Sequence, residues 1–155
     1  MQNLLGNMAA PLAQMGTLQD ASRAEQLLLR CSSNSQKLEL LDCVFKANLY
    51  KPQEVVTHGL DLLKRGSLGS VKYRIQEQTC VACIDTGMWQ QATDLIKALK
   101  QAFPQSLRAK RLEGLLLEAQ PSGGEQKYNS ARKQYEEVLK ADEANLMTLK
   151  RTIAM

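Results

Sequence analysis

The residues of this chain best able to do chemistry are four cysteines, at 31, 43, 80 and 83, and a single histidine, His58. Cys80-Val-Ala-Cys83 forms a CxxC, a spacing used by zinc sites and by dithiol redox centres. A structural zinc takes four ligands, commonly two such pairs, and Cys31 and Cys43 are not spaced as a second one. Redox chemistry of the thioredoxin type needs a strand running into a helix, and no such pattern surrounds this pair. The cysteines therefore read as small core residues and free thiols of a reducing compartment. His58 lies beside Gly59 with no clustered carboxylate or cysteine, so it reads as a boundary residue. Gly66-Ser-Leu-Gly69 ahead of Lys72 echoes a phosphate loop faintly, and a helix end followed by a helix start explains it better. No GxSxG, HExxH, P-loop or GxGxxG occurs. The expectation is a protein without catalytic residues, cofactor, metal or small-molecule substrate.

What positions these residues is a helical framework. Leu, Ala, Gln, Glu and Lys dominate the 155 residues, and β-branched runs are absent. The chain is 44% hydrophobic and 23% charged, with a net charge of +4. That charge is too mild to argue for nucleic acid. No apolar stretch is long enough to span a membrane, and the first charged residue is Asp20, so no basic leader region precedes the weakly apolar start.

Gly87, Trp89, Ala92, Ile96, Leu99 and Pro104 stand at positions 15, 17, 20, 24, 27 and 32 of a 34-residue frame opening at Tyr73. That is the pattern of a tetratricopeptide repeat, two antiparallel helices A and B. Ala92 is small where helix B must approach helix A, and Ile96 and Leu99 continue the same face. Gly87 can close helix A in the left-handed conformation, and Pro104 stops helix B while biasing Phe103 away from helical geometry. The second repeat opens at Leu107, has its small residue at Gly114, and carries Ala131, Tyr135 and Val138 on helix B. Its anchor alanine falls 39 residues after Ala92, and the five extra residues are assigned to a loop at 120–126. Glu143 stands where proline is preferred, so that boundary is softer.

The predicted fold class is all-α, a tetratricopeptide-like α-solenoid of antiparallel helix pairs wound as a right-handed superhelix. Residues 1–18 are expected to be a mobile lead and 19–155 one helical-repeat domain, with repeats at 73–106 and 107–145 and a partial third at 146–155. Within the early region, Ser22-x-x-Glu25 suggests a capping box for a helix carrying Leu27, Leu28 and Cys31. Asn34 and Ser35 can cap a second helix, and Pro52 opens a third that Lys64, Arg65 and Gly66 close. The last ten residues have no partner helix, so the chain reads as cut mid-array or as leaving Leu149 and Ile153 for a docked partner.

In a stacked array, helix-A positions 2, 5, 9 and 12 line the concave face. These are Arg74, Glu77, Val81 and Ile84, then Arg108, Arg111, Leu115 and Glu118, then Met147 and Lys150. The row reads as a basic, apolar-spotted binding surface for an acidic or amphipathic helix, with Val81, Ile84 and Leu115 exposed on it. On this reading Arg111→Glu leaves folding nearly intact. A co-chaperone clamp would instead place Lys and Asn where Glu77 and Val81 stand. A nucleic-acid reading of Arg108, Lys110 and Arg111 lacks interleaved aromatics.

From 103 to 145 the chain carries Phe103-Pro104-Gln105-Ser106, then Arg108-Ala109-Lys110-Arg111-Leu112, Gly114 and Glu118-Ala119, followed by Tyr128, Ala131, Tyr135, Val138-Leu139, Asp142 and Asn145. This resembles the tetratricopeptide subunit 2 family of the endoplasmic reticulum membrane protein complex. The resemblance implies a scaffold on the cytosolic face of that membrane that does no chemistry. It implies protein partners: neighbouring membrane-bound subunits, whose cytosolic parts it cradles, and another soluble subunit. The complex inserts tail-anchored and multi-pass membrane proteins. The alternative is a cytosolic tetratricopeptide adaptor or co-chaperone binding peptide or helix partners.

Overall fold

The computed structural model describes residues 18–155, and every regular element among them is helical. Helix α1 covers 18–30. It is followed by α2 (Asn34–Lys46), α3 (Pro52–Arg65), a short 3₁₀ turn at Gly69–Val71, α4 (Lys72–Asp85), α5 (Trp89–Ala102), α6 (Leu107–Ala119), α7 (Gly124–Ala141) and α8 (Leu146–Ala154). Successive helices pack as antiparallel, tetratricopeptide-like pairs. The chain divides into two compact units, one ending at Ile75 and the other Gln76–Met155, so α4 contributes its first turn to one and the rest to the other.

Local chemistry sets the helix ends. Ser33, not Asn34 or Ser35, is the N-cap of α2: the Gln36 amide donates to Ser33 Oγ at 3.2 Å, and the Ser33 amide donates to Gln36 Oε1 at 3.2 Å. Ser22 caps nothing, because α1 is already helical at Leu18 and Ser22 lies inside it. The predicted lead falls, Leu18 apart, outside the described residues. Pro52 opens α3 and Gly66 ends it at φ +79°, as expected. Gly87 takes φ +73°, and its own and the next amide donate back to the carbonyls of Ile84 and Cys83. Phe103, before Pro104, is extended at φ −138°, which ends α5. Ser106 and Asn145 cap α6 and α8 through side-chain oxygens.

The unit ending at Ile75 buries Ala24 and Leu27 of α1, Leu40, Leu41 and Val44 of α2, and Val55, Val56 and Leu62 of α3. Arg23 bridges to Glu39, and Lys37 reaches Asp61 at 2.5 Å, tying α1 to α2 and α2 to α3.

The second unit follows the repeat pattern closely. Ala92, Ala131, Tyr135 and Val138 are fully buried, and Ile96 and Leu99 nearly so. Two bonds show how near α5 comes to α4: Gln76 Nε2 donates to the Leu95 carbonyl at 3.1 Å, and Cys80 Sγ to the Ala92 carbonyl at 3.8 Å. Gly114 makes the equivalent approach between α6 and α7. A Cβ built there would lie 2.9 Å from Tyr135 Cδ1 and closer still to Cε1.

The five extra residues of the second repeat are not a loop insertion. The connection 120–123 is one residue longer than 86–88, whereas α7 begins seven residues before Ala131 and α5 only three before Ala92. Four of the five thus lengthen helix B at its start. The polar, helix-favouring Glu125, Gln126 and Lys127 extend the helix, with Gly123 at φ +122° and Gly124 at φ +49° supplying the freedom of glycine at the turn.

Candidate functional site

Helices α4 and α6 bring equivalent repeat positions side by side. Val81 and Leu115 are 34 residues apart, as are Ile84 and Glu118, and these four converge on one cleft of about 340 Å³. Asp85, Trp89, Ala119 and Arg151 complete its lining. Repeat spacing explains the convergence, since each helix pair repeats the geometry of the one before.

The expected exposure is corrected at one residue. Ile84 is buried, at 6% exposure, while Val81 and Leu115 are half-buried. Position 12 lies on the shoulder between the face turned to helix B and the open face, and here the last turn of α4 carries it inward beside Cys83.

The expected basic character is corrected more widely. Glu77 is clamped by two arginines of the next helix A: Arg108 Nη2 stands 2.6 Å from Oε2, and Arg111 Nη2 is 3.3 Å from Oε1. Glu118 is held from two sides, accepting from Tyr135 Oη at 2.8 Å and from Arg151 Nη1 at 3.2 Å. Burial and the adjoining Glu118 carboxylate push the Tyr135 phenol well above its usual range, so it remains the donor of that bond. Arg74, in the other unit, pairs with Asp42 at 2.8 Å and lies over the Phe45 ring. The arginines of the predicted surface thus face carboxylates of their own chain. Met147 and Lys150 are exposed on α8 and do not line the cleft.

Asp85 is, with Arg151, a charged lining residue that sequence reasoning missed. It is the last residue of α4, at the negative end of the helix, where a carboxylate is disfavoured. Among the described residues no hydrogen bond or ion pair engages it, and partial burial raises its pKa while the charge of Arg151 opposes the rise. Its sequence signal was its place immediately after Ile84. Trp89 and Arg151 carried signals only as a repeat residue and as part of the partial third repeat.

The thiols sit where a core reading puts them. Cys80 and Cys83 are fully buried, and desolvation pushes them up to about 12 and about 11. Two outcomes follow. At neutral pH, iodoacetamide should leave both unlabelled until the chain unfolds, while half-buried Cys31 reacts first, which mass spectrometry of partly labelled protein would show. Because the folded values lie above the ordinary 9.0, stability is whole below pH 9 and falls between pH 9 and 12, where the unfolded thiols ionise first. A pH-independent denaturation midpoint across that window would contradict the burial.

No protein-family model matches the chain. Over 110 residues, 70% of this chain, it is 33% identical to ER membrane protein complex subunit 2-B of Xenopus laevis. Over the same length it is 32% identical to ER membrane protein complex subunit 2 of Xenopus tropicalis and to subunit 2-A of Xenopus laevis. The chain belongs to the ER membrane protein complex subunit 2 family.

The match covers 35% of each relative, so the chain spans about a third of their length. Among the described residues no cluster of His, Cys, Asp or Glu could hold a metal ion, and no helix is long and apolar enough to cross a membrane.

Proposed function

We propose that this chain is a non-catalytic scaffold subunit of the ER membrane protein complex, acting at the cytoplasmic face of the endoplasmic reticulum. It holds cytosolic parts of partner subunits of a membrane-protein insertase and reaches the membrane through them. The observation that carries this reading is the match to subunit 2 relatives over 70% of the chain. The helix-A cleft with its apolar walls supports it, being suited to a protein segment rather than to a reaction. A co-chaperone clamp is disfavoured by Glu77, whose carboxylate is saturated by Arg108 and Arg111 where such a clamp needs a free cation.

The test is affinity purification of the tagged chain from detergent-solubilised native membranes. Integral membrane subunits of the endoplasmic reticulum should co-purify in stable, near-stoichiometric amounts. Recovery of the tagged chain alone, from the soluble fraction only, would overturn the proposal.

A further inference from the structure

The cleft between α4, α6 and α8 has a charge opposite to the one the sequence suggests, and that fixes the chemistry of what it takes. Its lining holds two carboxylates, Asp85 and Glu118, against one guanidinium, Arg151. Glu118 is already bonded by Tyr135 and Arg151. Asp85, at the negative end of α4, has no hydrogen bond or ion pair among the described residues, although the charge of Arg151 acts on it. Beside it lie the apolar surfaces of Val81, Trp89 and Leu115, each half-buried.

From this we infer that the cleft docks an amphipathic partner helix whose apolar face fills the space between Val81, Trp89 and Leu115 and whose flanking lysine or arginine reaches Asp85. The inference rests on the scaffold reading above and names the chemistry of the partner at that site. Charge complementarity decides the sign. An acidic helix would meet Asp85 head-on, and Arg108 and Arg111, which flank Glu77, do not line the cleft. The apolar contacts supply affinity, while the cation sets orientation and selects among partners.

Trp89 is the only tryptophan of the chain and lines the cleft, so its emission reports occupancy directly. The experiment titrates the full chain with tryptophan-free helical peptides of about 16 residues. All carry the same Leu/Ile face, and the residue flanking it is Lys, Gln or Glu. The Lys peptide should shift Trp89 emission saturably and bind about three- to fivefold tighter than the Gln peptide, with the Glu peptide weakest. In Asp85→Asn, an exposed position whose change leaves the fold intact by circular dichroism, the Lys and Gln peptides should bind equally. Leu115→Glu should weaken all three at least tenfold.

Equal binding of the three peptides to the unaltered chain, preference for Glu, no emission change with any of them, or a Lys preference that survives Asp85→Asn would each overturn the inference. The two readings fail separately. Co-purification with membrane subunits together with peptides that bind without charge preference sinks this inference alone. A Lys preference abolished by Asp85→Asn in a chain that captures no membrane subunit sinks the scaffold proposal and not the cleft's chemistry.

Discussion

Gly114→Ala should destabilise the protein by about 2–3 kcal/mol, although alanine is the better helix former by about 1 kcal/mol. Gly114 lies inside α6, at ordinary helical φ, so the conformational freedom of glycine is not in use there. What matters is the space: the new methyl would overlap the ring of Tyr135, which is fully buried. The ring cannot retreat without giving up its bond to Glu118, and with it the anchor that orients Arg151. Tyr135→Ala alone should cost about 3–5 kcal/mol, the loss of a large buried ring. In that background Gly114→Ala should change sign and stabilise by up to about 1 kcal/mol, since the obstacle has gone and the propensity gain remains. Chemical denaturation of the four proteins measures this. A destabilising Gly114→Ala in both backgrounds would mean that the close approach of α6 and α7 is not its cause.

Arg111→Glu is the second large effect, and here the sequence expectation is reversed. Read as a surface residue of a binding groove, Arg111 should tolerate a change of sign. In the structure its side chain is only 17% exposed and that of Glu77 only 16%. Reversing the charge leaves two carboxylates facing each other in a largely desolvated setting, for an expected loss of about 2–3 kcal/mol. Arg108 also bonds Glu77, but its side chain is 74% exposed, so Arg108→Glu should cost under about 1 kcal/mol. Thermal melts at low and high salt separate the two, since salt screens the exposed pair far more than the sheltered one.

These two residues also show what sequence could and could not reveal. Gly114, Ala92, Ala131 and Gly87 were legible because the constraint on each is steric and local. A helix that must come close needs a small side chain, and a chain that must reverse needs a positive φ. Tyr135 and Val138 followed from helical spacing alone. The Glu77 clamp was not legible, because spacing puts Glu77 and Arg111 at equivalent positions without telling whether two long side chains reach across or point outward. The cleft's sign hung on that choice. Ile84 sits at the edge of a helical stripe, where a small rotation of α4 decides between cover and exposure. The extension of α7 was hidden for a different reason: Pro121, Gly123 and Gly124 advertise a loop, yet the turn is complete at Gly124, and the polar run after it is good helix. Ser22 misled because a capping box describes a helix start only where nothing upstream is helical.

The stacking of helix pairs in a 34-residue register underlies the cleft, its charge and the scaffold reading alike, and a charge-swap cycle at positions 77 and 111 tests it most directly. Glu77→Arg and Arg111→Glu should each destabilise, and the doubly swapped protein should recover at least half of the combined loss, by about 2 kcal/mol of coupling in denaturant titrations. Losses that simply add in the double variant would show that the two side chains do not meet, and that equivalent positions of successive helices do not lie side by side.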